Sequence, residues 1–186
     1  MEHCIVDNSY ERILGQCRTL GSRVGLPSSR QFAVSWMRVE SALQTTLPQS
    51  YKSFIEYFGP GRFADELQYC VPGIENEAYE LEAQLALYQE LARRPGPYEL
   101  RKNIFSGSGG LIPFGQIGDD TIYWDTTDCL PDWWPIVLIE GGDYLLRYED
   151  GLVSLIADML DEAPSVDRLA YDPTLLSHFE PDEGRW

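Results

Sequence analysis

The chain has 186 residues, 44% hydrophobic and 12% aromatic, with a formal net charge of −16. That length and apolar content can bury a core without a metal or disulfide staple, and they exclude a disordered chain. Thirty acidic residues against 14 basic ones argue against phosphate backbones and anionic lipid as targets, and no run reaches the ~18 apolar residues of a membrane helix.

Along the chain, Tyr10, Ile13, Leu14 and Cys17 fall at i, i+3, i+4 and i+7, which predicts a short helix. Gly21, Gly25, Pro27, Ser28 and Ser29 then mark a loop. Phe32, Trp36, Val39, Leu43 and Leu47 form one apolar helical face, interrupted at Pro48. A second helix starts there, since proline suits a first helical turn. Its face is Tyr51, Phe54, Ile55 and Phe58, and Gly59, Pro60 and Gly61 end it. A short strand is expected over Leu67 to Val71, and then a third helix capped by Asn76, with Ala78, Leu81, Leu85, Tyr88 and Ala92 as its buried stripe.

After residue 105 the period changes from helical to alternating. Residues 106–110 read as a glycine-rich linker without the Lys-Ser/Thr of a phosphate cradle. Leu111 to Ile117 is extended, Gly118, Asp119 and Asp120 turn, and Thr121 to Asp125 returns. In that return Ile122 and Trp124 face one way, and Thr121, Tyr123 and Asp125 the other. A loop to Asp132 precedes a strand over Trp134–Glu140. A hairpin turn at Gly141, Gly142 and Asp143 leads to a strand over Tyr144–Tyr148. Leu152, Leu155, Ile156, Met159 and Leu160 give another helix, Thr174 caps a last turn, and the tail from Pro181 reads as loose. Strands joined by short turns predict an antiparallel sheet of about four to six strands flanked by helices, an α+β fold.

The four cysteines, Cys4, Cys17, Cys70 and Cys129, show no C-x-x-C spacing, and only His3 and His178 could assist them. No metal, cofactor or catalytic constellation is therefore expected. Scattered free thiols, with no signal peptide at the N-terminus, suit the cytoplasm. The acidity is uneven: residues 115–186 hold 17 acids and 3 bases, a net of −14. Asp119, Asp120, Asp125, Asp128 and Asp132 crowd one hairpin and loop, beside Trp133 and Tyr123. These seven residues are the candidate partner-binding set. Acids steer a basic protein, and an exposed Trp is a good interface anchor. Against this, Asp is favoured in tight turns, and Trp133, Trp134 and Tyr123 are equally compatible with a core.

Three blocks in order resemble the SUKH superfamily. The first is Val39, Glu40, Leu43, Leu47, Pro48, Tyr51, Phe54, Phe58 and Gly59. The second is Gly110 to Gly115 followed by Gly118 to Asp125. The third is Trp134 to Ile139, Tyr144 to Tyr148 and the helix through Leu160. The resemblance spans roughly residues 36–160. It departs at Gly59-Pro60-Gly61, where the family usually has Asn-Gly, and in the long Ile74–Arg94 helix, which is more insertion than signature. The superfamily includes fungal cell-wall-synthesis regulators and many bacterial immunity proteins, and the resemblance implies a non-enzymatic, cytoplasmic immunity protein. Its expected partner is a cognate, basic toxin protein, with no nucleic acid and no membrane, and the chain itself is a monomer or weak homodimer. The alternatives are a regulatory or scaffold module of the same fold and, less favoured, a hydrolase using carboxylates of the 119–132 loop. The implied layout is a helical extension over residues 1–30, a SUKH-like domain over 31–163 and a C-terminal extension over 164–186.

Overall fold

A computed structural model describes residues 6–182 except 27, 65, 95–103, 108, 128, 129, 141, 142, 168 and 170. Three helices come first: α1 (Val6–Arg23), α2 (Trp36–Leu43) and α3 (Gln49–Phe58). Helix α3 lies at the centre of the fold. Tyr51, Phe54, Ile55 and Phe58 are buried as the periodicity predicts, and Ser53 and Tyr57 are buried as well. Elements on both sides therefore cover it: the sheet on one, through Phe63, Tyr69 and Trp124, and α1 with the helix over Gly151–Leu160 on the other.

The corner between α2 and α3 explains the first block of residues. Val39, Leu43 and Leu47 enter the core. Glu40 Oε1 accepts both the Leu47 N–H and the Lys52 ammonium, each at 2.9 Å. One half-buried carboxylate thus ties the two helices across Pro48, and a charge-assisted bond of this kind is stronger than a neutral one.

The sheet follows: β1 (Gly61–Phe63), β2 (Leu67–Tyr69), helix α4 (Leu81–Arg93), β3 (Leu111–Ile117), β4 (Asp120–Asp125), β5 (Ile136–Glu140) and β6 (Asp143–Tyr148). Helices α5 (Gly151–Leu160) and α6 (Pro173–Leu176) lead to β7 (Phe179–Pro181). Among the described residues seven strands form one antiparallel sheet in the order β6-β5-β4-β3-β2-β1-β7. The fold is α+β as expected, with seven strands where four to six were predicted. The extra ones, β1 and β7, have three residues each and are too short to show an alternation.

Alternation sets the two faces. Phe63, Tyr69, Ile112, Phe114, Trp124, Ile136, Leu138 and Phe179 belong to the main core with α1, α3 and α5. Phe114 stacks on Trp124 at 4.0 Å, and Tyr51 meets Trp124 edge-on at 4.8 Å. Leu111, Tyr123 and Val137 form a second cluster on the opposite face, beneath Tyr88 of α4.

Helix α4 starts later than predicted. Asn76 Oδ1 accepts the Ala78 N–H in a local turn, and Glu80 caps the helix by accepting the Ala83 N–H at 2.7 Å. Gly21 lies inside α1, not in a loop, and Phe32 precedes α2 outside any helix. Asp172, not Thr174, caps α6, accepting the Thr174 N–H at 2.9 Å.

Both segments read as extensions join the main core. Ile13, Cys17, Leu20 and Val24 are buried in it from the N-terminal side, and Val166, Leu169, Leu176 and Phe179 from the C-terminal side. The Phe179 ring sits 5.2 Å from both Phe58 and Phe63, and its N–H donates to the Val24 carbonyl at 3.0 Å. Pro181 is paired with Gly61 in the sheet instead of opening a loose tail.

Candidate partner-binding surface

The candidate residues sit on the β3–β4 hairpin and on the connection from β4 to β5. Their positions split at once. Asp119 lies in the hairpin turn and Asp120 opens β4 just after it, whereas Asp125 closes β4 at its other end, about 17 Å away at ~3.3 Å per residue. Gly118 takes φ +56° at the first central turn position, and Asp119, the second, stays at negative φ. That is the pattern of a type II′ hairpin turn, which needs glycine first. Both aspartates are exposed.

Asp125 is half-buried and tied down. Its Oδ1 accepts the Thr127 hydroxyl at 2.7 Å and the Thr127 N–H at 3.1 Å. Its Oδ2 accepts from Arg147 Nη1 at 3.1 Å, while Arg147 Nε donates to Glu149 at 3.0 Å. Burial pushes the Asp125 carboxyl up. The bonds from Thr127 and Arg147 outweigh it and hold the group below its ordinary value.

A single-turn 3-10 helix over Pro131–Trp133 separates the two tryptophans. Trp134 is buried, 6.2 Å from Trp124, whereas Trp133 is 69% exposed and Leu130 73% exposed. Asp132 is exposed, yet its Oδ1 accepts the Gln49 N–H at 2.5 Å. Gln49 opens α3, and Pro48 before it makes no side-chain cap. Asp132 therefore caps α3 from 83 residues away.

The same end of the sheet carries Glu149 and Asp150, both exposed. Pairing of Ile136 with Tyr148 and with Trp124 brings the ends of β4 and β6 and the start of β5 together. Gly151 lies against Ser50, so the start of α3 joins them. The structure thus groups Asp125, Asp132 and Trp133 with Glu149, Asp150 and Leu130, which sequence reading left out. Glu149 and Asp150 could have been found only from the strand register. Tyr123 points to the other side, is 6% exposed and meets Tyr88 edge-on at 5.8 Å. It supports the sheet under α4 and is not available as a contact in this form. Asp128, the remaining candidate, lies outside the described residues.

Cys17 and Cys70 are buried free thiols, both pushed up to about 12 by burial, which leaves them unreactive at neutral pH. No described helix is long and apolar enough to cross a membrane.

A single-sheet α+β domain with a central buried helix and one acidic, apolar-tipped end is thus the class the geometry defines. The chain belongs to the SMI1 / KNR4 family (SUKH-1), whose family model matches residues 35–162. This family includes immunity proteins. The comparisons with curated proteins and with solved structures gave no match. The matched region covers α2 through α5 but not α1, α6 or β7.

Proposed function

We propose that this protein is an immunity protein of bacterial cytoplasm that binds a basic toxin domain and neutralises it. The contact surface in this reading is the end of the sheet where β4 and β6 finish and β5 begins. The observation that carries it is the exposed pair Leu130 and Trp133 next to the acids Asp132, Glu149 and Asp150. An apolar anchor rimmed by charge suits a protein interface. The net of −14 over residues 115–186 favours a basic partner and speeds its encounter. Family membership supports the reading, since immunity is among the roles of its members. Such a protein acts by occlusion and does no chemistry itself. Asp128, by its place in the same loop, is included in the contact set. Asp119 and Asp120 form a second, separate acidic point.

The test is calorimetric titration with the C-terminal toxin domain encoded by the adjacent upstream reading frame, at low and at moderate salt. One-to-one binding that weakens with salt is expected, with Trp133→Ala costing about 2 kcal/mol, a factor of ~30 in Kd. Unaltered affinity of both Trp133→Ala and a Glu149→Lys, Asp150→Lys double variant would remove this surface from the reading.

A further inference from the structure

The sheet has two edges, and they differ. At one, β7 has three residues and ends in Pro181, which has no N–H to offer. Shortness and proline are the usual means by which an edge is made unreceptive. At the other, β6 runs six residues as Asp-Tyr-Leu-Leu-Arg-Tyr, with no proline and no lysine. Among the described residues no strand pairs with its outer side. The two tyrosines here favour extended backbone on a half-buried surface.

We propose that β6 is a docking edge, onto which a strand of a basic protein partner adds by main-chain pairing. This rests on the reading that the protein neutralises a basic partner. The charge around the edge selects the occupant. Glu149 and Asp150 stand exposed where β6 ends, and the one cation of the strand, Arg147, already bonds Asp125 and Glu149. A strand bearing Lys or Arg would gain both backbone hydrogen bonds and Coulomb attraction. A second copy of this chain would bring a like net charge of −16 to the same edge, which is unfavourable.

The register says where pairing is best. Leu138 faces Leu146 and Ile139 faces Tyr144, so Leu145 is an extra, bulged residue. The regular run is therefore Leu146–Tyr148, next to the acids. Trp133 lies three residues before Ile136, which pairs with Tyr148, so the exposed indole stands at the same end as this run. Strand addition gives affinity through the main chain, while flanking side chains give specificity.

Amide hydrogen exchange on the full chain, read residue by residue by NMR, tests the proposal. The probes are the adjacent-frame toxin domain and, separately, a synthetic peptide of about ten residues alternating Lys and Val, with a proline-interrupted version as control. Slowing of alternate amides over residues 146–149 by about tenfold or more, absent with the control and absent at residues 179–182, is the expected result. If the toxin domain binds and slows exchange only around residues 130–133, the edge is not used, while the immunity reading stands. If the toxin domain fails to bind but the peptide slows the β6 amides, the edge is receptive and the immunity reading fails. No slowing in β6 with either probe overturns the proposal.

Discussion

Asp132 lies within the candidate contact surface and also holds the start of α3, so its removal has a consequence that needs no partner. The Gln49 N–H is among the first amides of α3, for which no acceptor exists within the helix. In Asp132→Ala that amide loses a carboxylate acceptor at 2.5 Å. Loss of a cap costs about 1 kcal/mol, and loss of an anion at the positive end of a helix a further ~0.3–1 kcal/mol. A total of roughly 1–2 kcal/mol corresponds to a Tm lowered by about 2–8 °C for a chain of this length. Asp132→Asn keeps an acceptor and loses only the charge contribution, so it should fall between wild type and Asp132→Ala and lose its difference from wild type in high salt. Asp119→Ala, in an exposed turn, is the control and should stay within about 0.5 kcal/mol. Urea unfolding gives these values directly. If Asp132→Ala matched Asp119→Ala, the long-range cap would be wrong. The comparison matters for binding studies too, because a charge reversal at Asp132 would weaken the fold and the interface together.

Three further outcomes follow from the interior. Phe58→Ala empties a fully buried site between Phe54, at 4.6 Å, and Phe179, at 5.2 Å, and should cost about 3–5 kcal/mol in a denaturant titration. Tyr51→Phe strips the Cys70 carbonyl of a donor at 2.6 Å in a buried site and should cost about 1–3 kcal/mol with little change in the tryptophan spectrum. Because the folded state holds Asp125 below its ordinary value, its contribution is present above the unfolded carboxylate pKa of about 3.9 and is lost as pH falls through the folded value. Asp125→Asn should therefore be less stable than wild type at neutral pH and flatten the acid limb of the stability curve, and an unchanged limb would refute the assignment.

Much of the architecture was legible because its signals are periodic. The faces of α3 and α5, and the alternation of Ile122 and Trp124 against Tyr123 and Asp125, appear in the structure as the spacing demands. What stayed hidden depends on contacts between distant parts of the chain. Alternation placed Tyr123 opposite Trp124, but nothing local says that α4 covers that face. Asn76 has the chemistry of a cap and spends it on a turn, while Glu80, an uncommon cap, holds the helix. The sequence left Trp133 and Trp134 open between interface anchor and core, and the 3-10 turn decides that Trp133 is the outward one. The crowding of five aspartates in sequence suggested one surface, yet a six-residue strand separates its two parts. Nothing local connects Glu149 and Asp150 with Asp132; the pairing of Ile136 with Tyr148 brings them to the same end of the sheet.

The pairing of β1 with β7 has a consequence for how the protein is made. Arg62 and Glu180, opposite each other in that pair and bonded at 3.0 Å, are 118 residues apart. At ribosomal rates of ~5–20 residues per second, β1 waits on the order of 6–24 s for its neighbour to be synthesised. Throughout that interval the strand beside Phe58 and Phe63 has one open side and an uncovered aromatic patch, which Phe179 fills last. A nascent chain of this protein is therefore exposed to capture by chaperones, or to mispairing, until β7 arrives, and a chain halted shortly before Phe179 would carry that open edge permanently.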